Sequence, residues 1–236
     1  MIMTPRIAIL LGASGSVGQE LLAELVRSNA FDRIIVLARK PLDQHHGPQV
    51  EVRSVPKMTP SELEHAVVDA LRTSDAEAIG FSVLGVGAGT AKLTLEEHRA
   101  VDVELNAAFA RGLKASGKVR HLLLMSAIGA DASASTRGGA AGTPRYSRVK
   151  GEAEAAVKAQ GPAVVSIFRP AMILGSKHTP GILAAIIPLF KAITPVKFRS
   201  IHTTEIARAM VAAALQGPVT SEVYSYPEMM RLIGKG

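Results

Sequence analysis

The sequence predicts an α/β protein built on a doubly wound parallel sheet, and three observations carry that prediction. Short apolar runs alternate along the chain with longer segments whose apolar residues recur at helical spacing. The first run, Ile7 to Leu11, is apolar throughout rather than at every second residue, as expected of a strand buried on both faces. The first run ends in a glycine-rich turn, "GASGSVG", that opens directly into a helical pattern.

Taken in order, Ile7 to Leu11 is the first strand. From Val17 onward Leu21, Leu22, Leu25 and Val26 line one helical face, with Gln19, Glu20, Glu24 and Arg27 opposite. Ile34 to Ala38 is a second strand and Gln49 to Ser54 a weaker third. Ser61 to Arg72 is a helix opened by Thr59 and Pro60, a capping residue followed by a proline at the first helical position. Ala78 to Leu84 is the next strand, ending in "LGVGAGT"; Leu95 to Ser116 is one long helix; and Val119 to Ser126 is a further buried strand. A glycine- and serine-rich loop leads to a helix from about Pro144 to Gln160, with Thr143 as its N-cap, and Ala163 to Phe168 is another strand. Past "FRPAMILG" the prolines at 180, 188 and 195 change the texture. The stretch "ILAAIIPLF" holds only nine residues and a proline, too short to span a bilayer; it reads as a lid helix over a cleft, a homodimer contact or a core helix. A helix from Thr203 to Leu215 and a short strand near Val223 to Tyr226 complete a small C-terminal, substrate-side lobe, from about 175 to 236, on a single domain.

Composition narrows the function classes. With 236 residues and 47% hydrophobic content the chain can bury one sizeable core. It has no cysteine, which excludes disulfides, thiolate metal sites and a cysteine nucleophile. Pro5 and Arg6 precede the only early apolar run, unlike a secretory signal, so the cytoplasm is the expected location. A formal charge of +7 favours anionic partners. The basic residues are dispersed and aromatics make up 4%, which argues against nucleic acid.

The glycine turn points to a phosphate-bearing ligand. Unpaired backbone N–H groups and the positive end of a helix dipole meet there. Gly12 permits the tight turn, Gly15 lets a pyrophosphate approach, and Gly18 lets the helix lie close to the sheet; Ser14, Ser16 and Val17 supply the rest of the cradle. The spacing is G-x-x-G-x-x-G, one residue longer in its first gap than the common dinucleotide fingerprint, and a ligand-free turn is the competing reading. About twenty residues on, where an NAD site would place an acid for the ribose 2′-hydroxyl, Arg39 and Lys40 stand at the strand end. They favour NADP(H) over NAD(H), against a solvated surface pair.

The third informative stretch is "TPRYSRVKGEAEAAV". Tyr146 and Lys150 are four apart on one helical face, so the side chains can meet, and an ammonium beside a phenol favours the phenolate needed for acid/base work. Ser126, at the C-terminal end of its strand, faces the crevice where such sheets bind ligands.

Together Gly12, Gly15, Gly18, Ser126, Tyr146 and Lys150 resemble the short-chain dehydrogenase/reductase superfamily, in its atypical or extended branch, closest to the Tat-interacting-protein-like NAD(P)-binding oxidoreductases. "GASGSVGQELL", "LARK", "LGVGAGT", "LLLMSAIGAD", "YSRVKGEAEAAV" and "FRPAMILG" follow in that group's order over residues 6 to about 175. The resemblance implies a Rossmann domain binding NADP(H) and a small carbonyl or alcohol substrate. Tyr146 would be general acid/base, Lys150 would hold the nicotinamide ribose and Ser126 would orient the reacting oxygen. Leu84 and Gly85 would lie along the cofactor, with Pro170 to Met172 near the nicotinamide. The chain departs from the pattern in two places. Many relatives carry an aspartate near the adenine where this chain has "SVPKM", and the family's catalytic asparagine has only Asn106 as a candidate, against a helix-surface reading. His45 and His46 read as solvated, His178 and His202 as lining the substrate side, and Asp102 with Glu104 as a charged helix face. A non-catalytic NADPH-binding regulator acting through a protein partner is the alternative to an enzyme.

Overall fold

The computed structural model describes residues 6–42, 46–175 and 195–235. Seven strands form one all-parallel sheet: β1 (Arg6–Leu11), β2 (Arg33–Ala38), β3 (Val50–Ser54), β4 (Glu77–Ser82), β5 (Val119–Met125), β6 (Val164–Phe168) and β9 (Val223–Tyr224), in the order β3-β2-β1-β4-β5-β6-β9. A two-stranded parallel ribbon pairs β7 (Ile173–Leu174) with β8 (Ile201–His202). Chain order runs outward from β1 in one direction to β3, then returns to β4 on its other side. That reversal opens a crevice at the C-terminal ends of β1 and β4, where doubly wound sheets bind their ligands.

Strand alternation sorts the core into two layers. Ala8 and Leu10 of β1 face α1 (Ser16–Ser28) and α6 (Thr203–Gln216), packing with Leu21, Leu22, Leu25, Ile206 and Met210. Ile7, Ile9 and Leu11 face α2 (Pro60–Leu71) and α4 (Asn106–Ala115), packing with Leu63, Val67, Phe109 and Leu113. Because both faces are covered, the central strands read as continuous apolar runs. Thr59 caps α2, its side chain accepting from Glu62 N–H at 3.3 Å. In the C-terminal region α6 packs along α1 and β9 extends the main sheet beyond β6. A final helix, α7 (Tyr226–Leu232), follows β9.

The segment expected to be one helix from 95 to 116 is divided. A short α3 (Leu95–Arg99) passes into a π-helical turn (Ala100–Leu105) before α4 begins. Thr143 does precede α5 (Pro144–Gln160), but its hydroxyl donates to Ala140 O at 2.7 Å instead of capping the helix. The stretch 182–190, His178 and His45 lie outside the described residues.

Candidate functional site

The crevice has two differently built ends. At the first, β1 runs into the glycine turn. Gly12 has φ +93°, and a Cβ there would lie 2.7 Å from Leu84 N. At Gly18 a Cβ would lie 2.1 Å from Gly12 O, so the first turn of α1 rests on the backbone of the turn itself. Gly15 is the N-cap of α1, and no side chain caps the helix. Ser14 and Gly15 are exposed, Ser16 is half-buried and Val17 is buried. A helix N-terminus opens beside the C-terminal end of β1, with no acidic residue in its first turn.

A cavity of about 810 Å³ continues from this turn. Gly12, Ser14, Arg39, Lys40 and Leu84 line it, and so does Lys57 from the loop after β3. Arg39, Lys40 and Lys57 are exposed where they line it, and Glu104 is the acidic residue among the lining. "SVPKM" therefore contributes a third cation to this lining.

The second end is built from buried side chains. Lys150 of α5 lies beneath Tyr146, its Nζ 5.7 Å from the ring centroid, so the two residues four apart do meet. Its ammonium is 2.6 Å from Asp102 Oδ1, with the lysine side chain 8% and the aspartate side chain 1% exposed. Asp102 Oδ2 also accepts from Val86 N–H at 2.9 Å. His98 is fully buried, its Nε2 3.7 Å from Asp102 Oδ1 and its ring stacked on Tyr146 at 6.0 Å and 28°. Burial by itself opposes both charges, but each outweighs it for the other. Lys150, His98 and the Val86 amide hold the Asp102 carboxyl well below the usual carboxylate range, while Asp102, Tyr146 and Glu154 hold Lys150 above the usual lysine value.

Asp102 is thus not part of a charged helix face: it is buried inward, and only Glu104 is exposed. Asn106 is not on the helix surface either. It is 2% exposed, donates to Asp102 O at 2.8 Å and accepts from Ser82 Oγ, tying the π turn to the end of β4. It makes no contact with Lys150 among those described. The spacing held a signal for these residues, since His98, Asp102 and Asn106 recur every fourth position and so share one helical face.

Ser126 follows β5 directly; it is buried, and its Oγ has no hydrogen-bond partner. Its N–H donates to Phe168 O at 2.7 Å, and Ile128 N–H donates to buried Pro170 O at 2.9 Å, which brings the loops after β5 and β6 side by side. Met172 is exposed, and its carbonyl accepts from Ile201 N–H at 2.9 Å. His202 is exposed at the start of α6, where its N–H donates to Glu205 at 3.0 Å.

A nicotinamide dinucleotide fits these residues. The uncapped helix start suits its pyrophosphate and the basic lining its adenosine half. Gly85 leaves open the space beside the buried pair: a Cβ there would come within 3.0 Å of Lys150 Nζ and 3.2 Å of Asp102 Oδ1. The partnerless Ser126 hydroxyl is what a substrate oxygen would satisfy.

A family model for NAD(P)H-binding proteins matches residues 12–217, and the chain belongs to that family. It is 28% identical to the mitochondrial protein FMP52-1 of Scheffersomyces stipitis over 88% of this chain and 87% of that protein. Among solved structures, a short-chain dehydrogenase from Burkholderia cenocepacia in complex with NADP is similar at TM-score 0.61 and 18% identity, covering 99% of this chain and 94% of the other. The Bordetella bronchiseptica enzyme WbmG in complex with NAD is similar at TM-score 0.66 and 15% identity, covering 99% and 79%. The expected NAD(P)-binding Rossmann fold holds.

The expected cytoplasmic location does not hold. The FMP52 relatives from Scheffersomyces stipitis, Candida glabrata, Emericella nidulans and Aspergillus niger are all named as mitochondrial proteins. The expectation rested on the missing secretory signal, which has no bearing on import into mitochondria, a process that uses a different type of leader. Among the described residues no helix is long and apolar enough to cross a membrane.

Proposed function

We propose that this chain is an NADP(H)-dependent oxidoreductase that interconverts a small carbonyl compound and its alcohol. The observation that carries the reading is the buried Lys150 ammonium, held under Tyr146 and beside Gly85, where a Cβ would come within 3.0 Å of Nζ. A lysine is kept charged in the interior at considerable desolvation cost, which a purely structural position would not require.

When bound, the nicotinamide supplies or accepts the hydride. Ser126 Oγ donates a hydrogen bond to the substrate oxygen and orients it. The Tyr146 phenol delivers a proton to that oxygen as it gains charge, or removes one from the alcohol in the reverse direction. Lys150 uses one of its three N–H donors on Asp102 and has two left for the ribose hydroxyls. The backbone of Gly12, Ser14, Gly15, Ser16, Val17 and Gly18 cradles the pyrophosphate. Arg39 and Lys40 take the 2′-phosphate; Leu84, Gly85, Pro170 and Met172 flank the nicotinamide half. The region from about 175 onward shapes the substrate side of the same domain.

Two measurements test the reading. Fluorescence titration with NADPH and NADH, in a chain without tryptophan, should show tighter NADPH binding. Tyr146→Phe should then abolish reduction of every compound in a carbonyl panel that the unaltered protein reduces, with NADPH affinity unchanged. Turnover that survives in the variant refutes the role of the tyrosine. NADPH binding without turnover by the unaltered protein would instead favour a sensor.

A further inference from the structure

The π turn has a consequence for the site. An α-helix that takes up one extra residue widens locally and redirects the side chains it carries, and such turns cluster at functional sites. Here the turn carries Asp102, on the same buried face as His98 and Asn106, and its carboxylate lies between Lys150, on one side, and the N–H of Val86, on the other. Asn106 holds the turn in that geometry from within, through the Asp102 carbonyl and Ser82.

No other described carboxylate is available to Lys150. Glu154, one helical turn further along α5, is engaged by Arg169, whose Nε lies 2.9 Å from Oε1 and whose second nitrogen bonds Oε2. The remaining titratable groups around the ammonium are Tyr146 on its own helix and His98 on α3, and His98 bridges the two halves of the cluster. Its ring contacts Tyr146 on one side and its Nε2 approaches Asp102 on the other. Four side chains from α3, the π turn and α5 thus form one closed chain of contacts: Tyr146, His98, Asp102 and Lys150.

We propose that Asp102 is a positioning residue, which fixes the Lys150 ammonium directly and the Tyr146 ring through His98, so that both are oriented before a nucleotide arrives. The assignment rests on the oxidoreductase reading for its purpose, and on the contacts alone for its geometry.

The test uses the full chain labelled with ¹³C-lysine, following the Lys150 Cε resonance through the neutral and alkaline range; Lys150→Met assigns the signal. In the unaltered protein Lys150 should stay an ammonium to at least the pH at which exposed lysines titrate. In Asp102→Asn the titration should move down, since burial is then opposed only by Tyr146 and Glu154. NADPH affinity should weaken by roughly tenfold or more, and increasingly so as pH rises, as expected when charge-assisted hydrogen bonds are lost. Should Asp102→Asn fail to fold, Asp102→Glu keeps the charge but displaces the carboxylate, and the same two shifts are expected in smaller measure. An unchanged lysine titration together with unchanged NADPH affinity would overturn the proposal, even with Tyr146 still required for turnover. A lysine shift in a protein that binds neither nucleotide would uphold the positioning role and refute the oxidoreductase reading instead.

Discussion

The two ends of the crevice solve the problem of binding an anionic dinucleotide in opposite ways. The glycine end is made of backbone: a positive φ at Gly12, an uncapped helix start, and cations left in solvent along the lining. The tyrosine end is made of side chains withdrawn from solvent and paired with one another. A backbone site requires only local geometry and tolerates water. A buried ion pair requires every partner, because each charge is stable only while the other is present. The first end should therefore fail by steric displacement, and the second by loss of charge balance.

The largest effect is expected at the buried end. Lys150→Met leaves Asp102 without its counter-ion, and breaking a buried pair from one side costs about 3–5 kcal/mol. Urea unfolding should show that loss together with loss of NADPH binding. A drop in binding with no loss of stability would mean that the pair is more solvated than its geometry indicates.

A buried but unpaired titratable group sharpens the contrast. His121, on β5, is hydrogen-bonded through Nε2 to Ser166 at 2.8 Å and has no carboxylate partner among the described residues. Burial pushes its pKa from 6.5 down to about 4. Its native value lies below its unfolded one, so the corresponding stability is complete above about pH 6.5 and is lost as pH falls from there through about 4. A shift of that size corresponds to about 3 kcal/mol. Denaturant midpoints across this window should decline less steeply in His121→Gln, which cannot take up the proton; equal slopes would assign the acid sensitivity to other groups.

At the glycine end the expected effect is smaller in stability and comparable in binding. Gly18→Ala forces a Cβ onto Gly12 O, and overpacking of this kind typically costs about 1–3 kcal/mol. Because the displaced turn is shared, affinity for NADPH and NADH should fall together in the titration. A loss restricted to NADPH would point instead to the basic lining.

Much of this was legible in the residues. The strands β1, β2, β5 and β6 carry mostly apolar runs because both sheet faces are covered, and Gly12, Gly15 and Gly18 mark a strand-to-helix turn through local backbone demands alone. Tyr146 and Lys150 share a face by their spacing on a regular helix. Asp102 and Asn106 read as surface residues because polar side chains on a helix are usually solvated, and which face of 95–116 is covered depends on segments far away in the chain. His98 offered only its four-residue spacing from Asp102.

By itself, then, the sequence determined the alternation of strands and helices, the glycine strand-to-helix turn and the pairing of tyrosine with lysine, all of which depend on residues within a few positions of one another. The tertiary structure alone decided which carboxylate meets Lys150, that Glu154 is already engaged by Arg169, and that Lys57 joins the lining with Arg39 and Lys40. Those outcomes depend on distances between segments far apart in the chain, and on whether burial leaves a charge with a partner. Neither quantity is encoded in local periodicity.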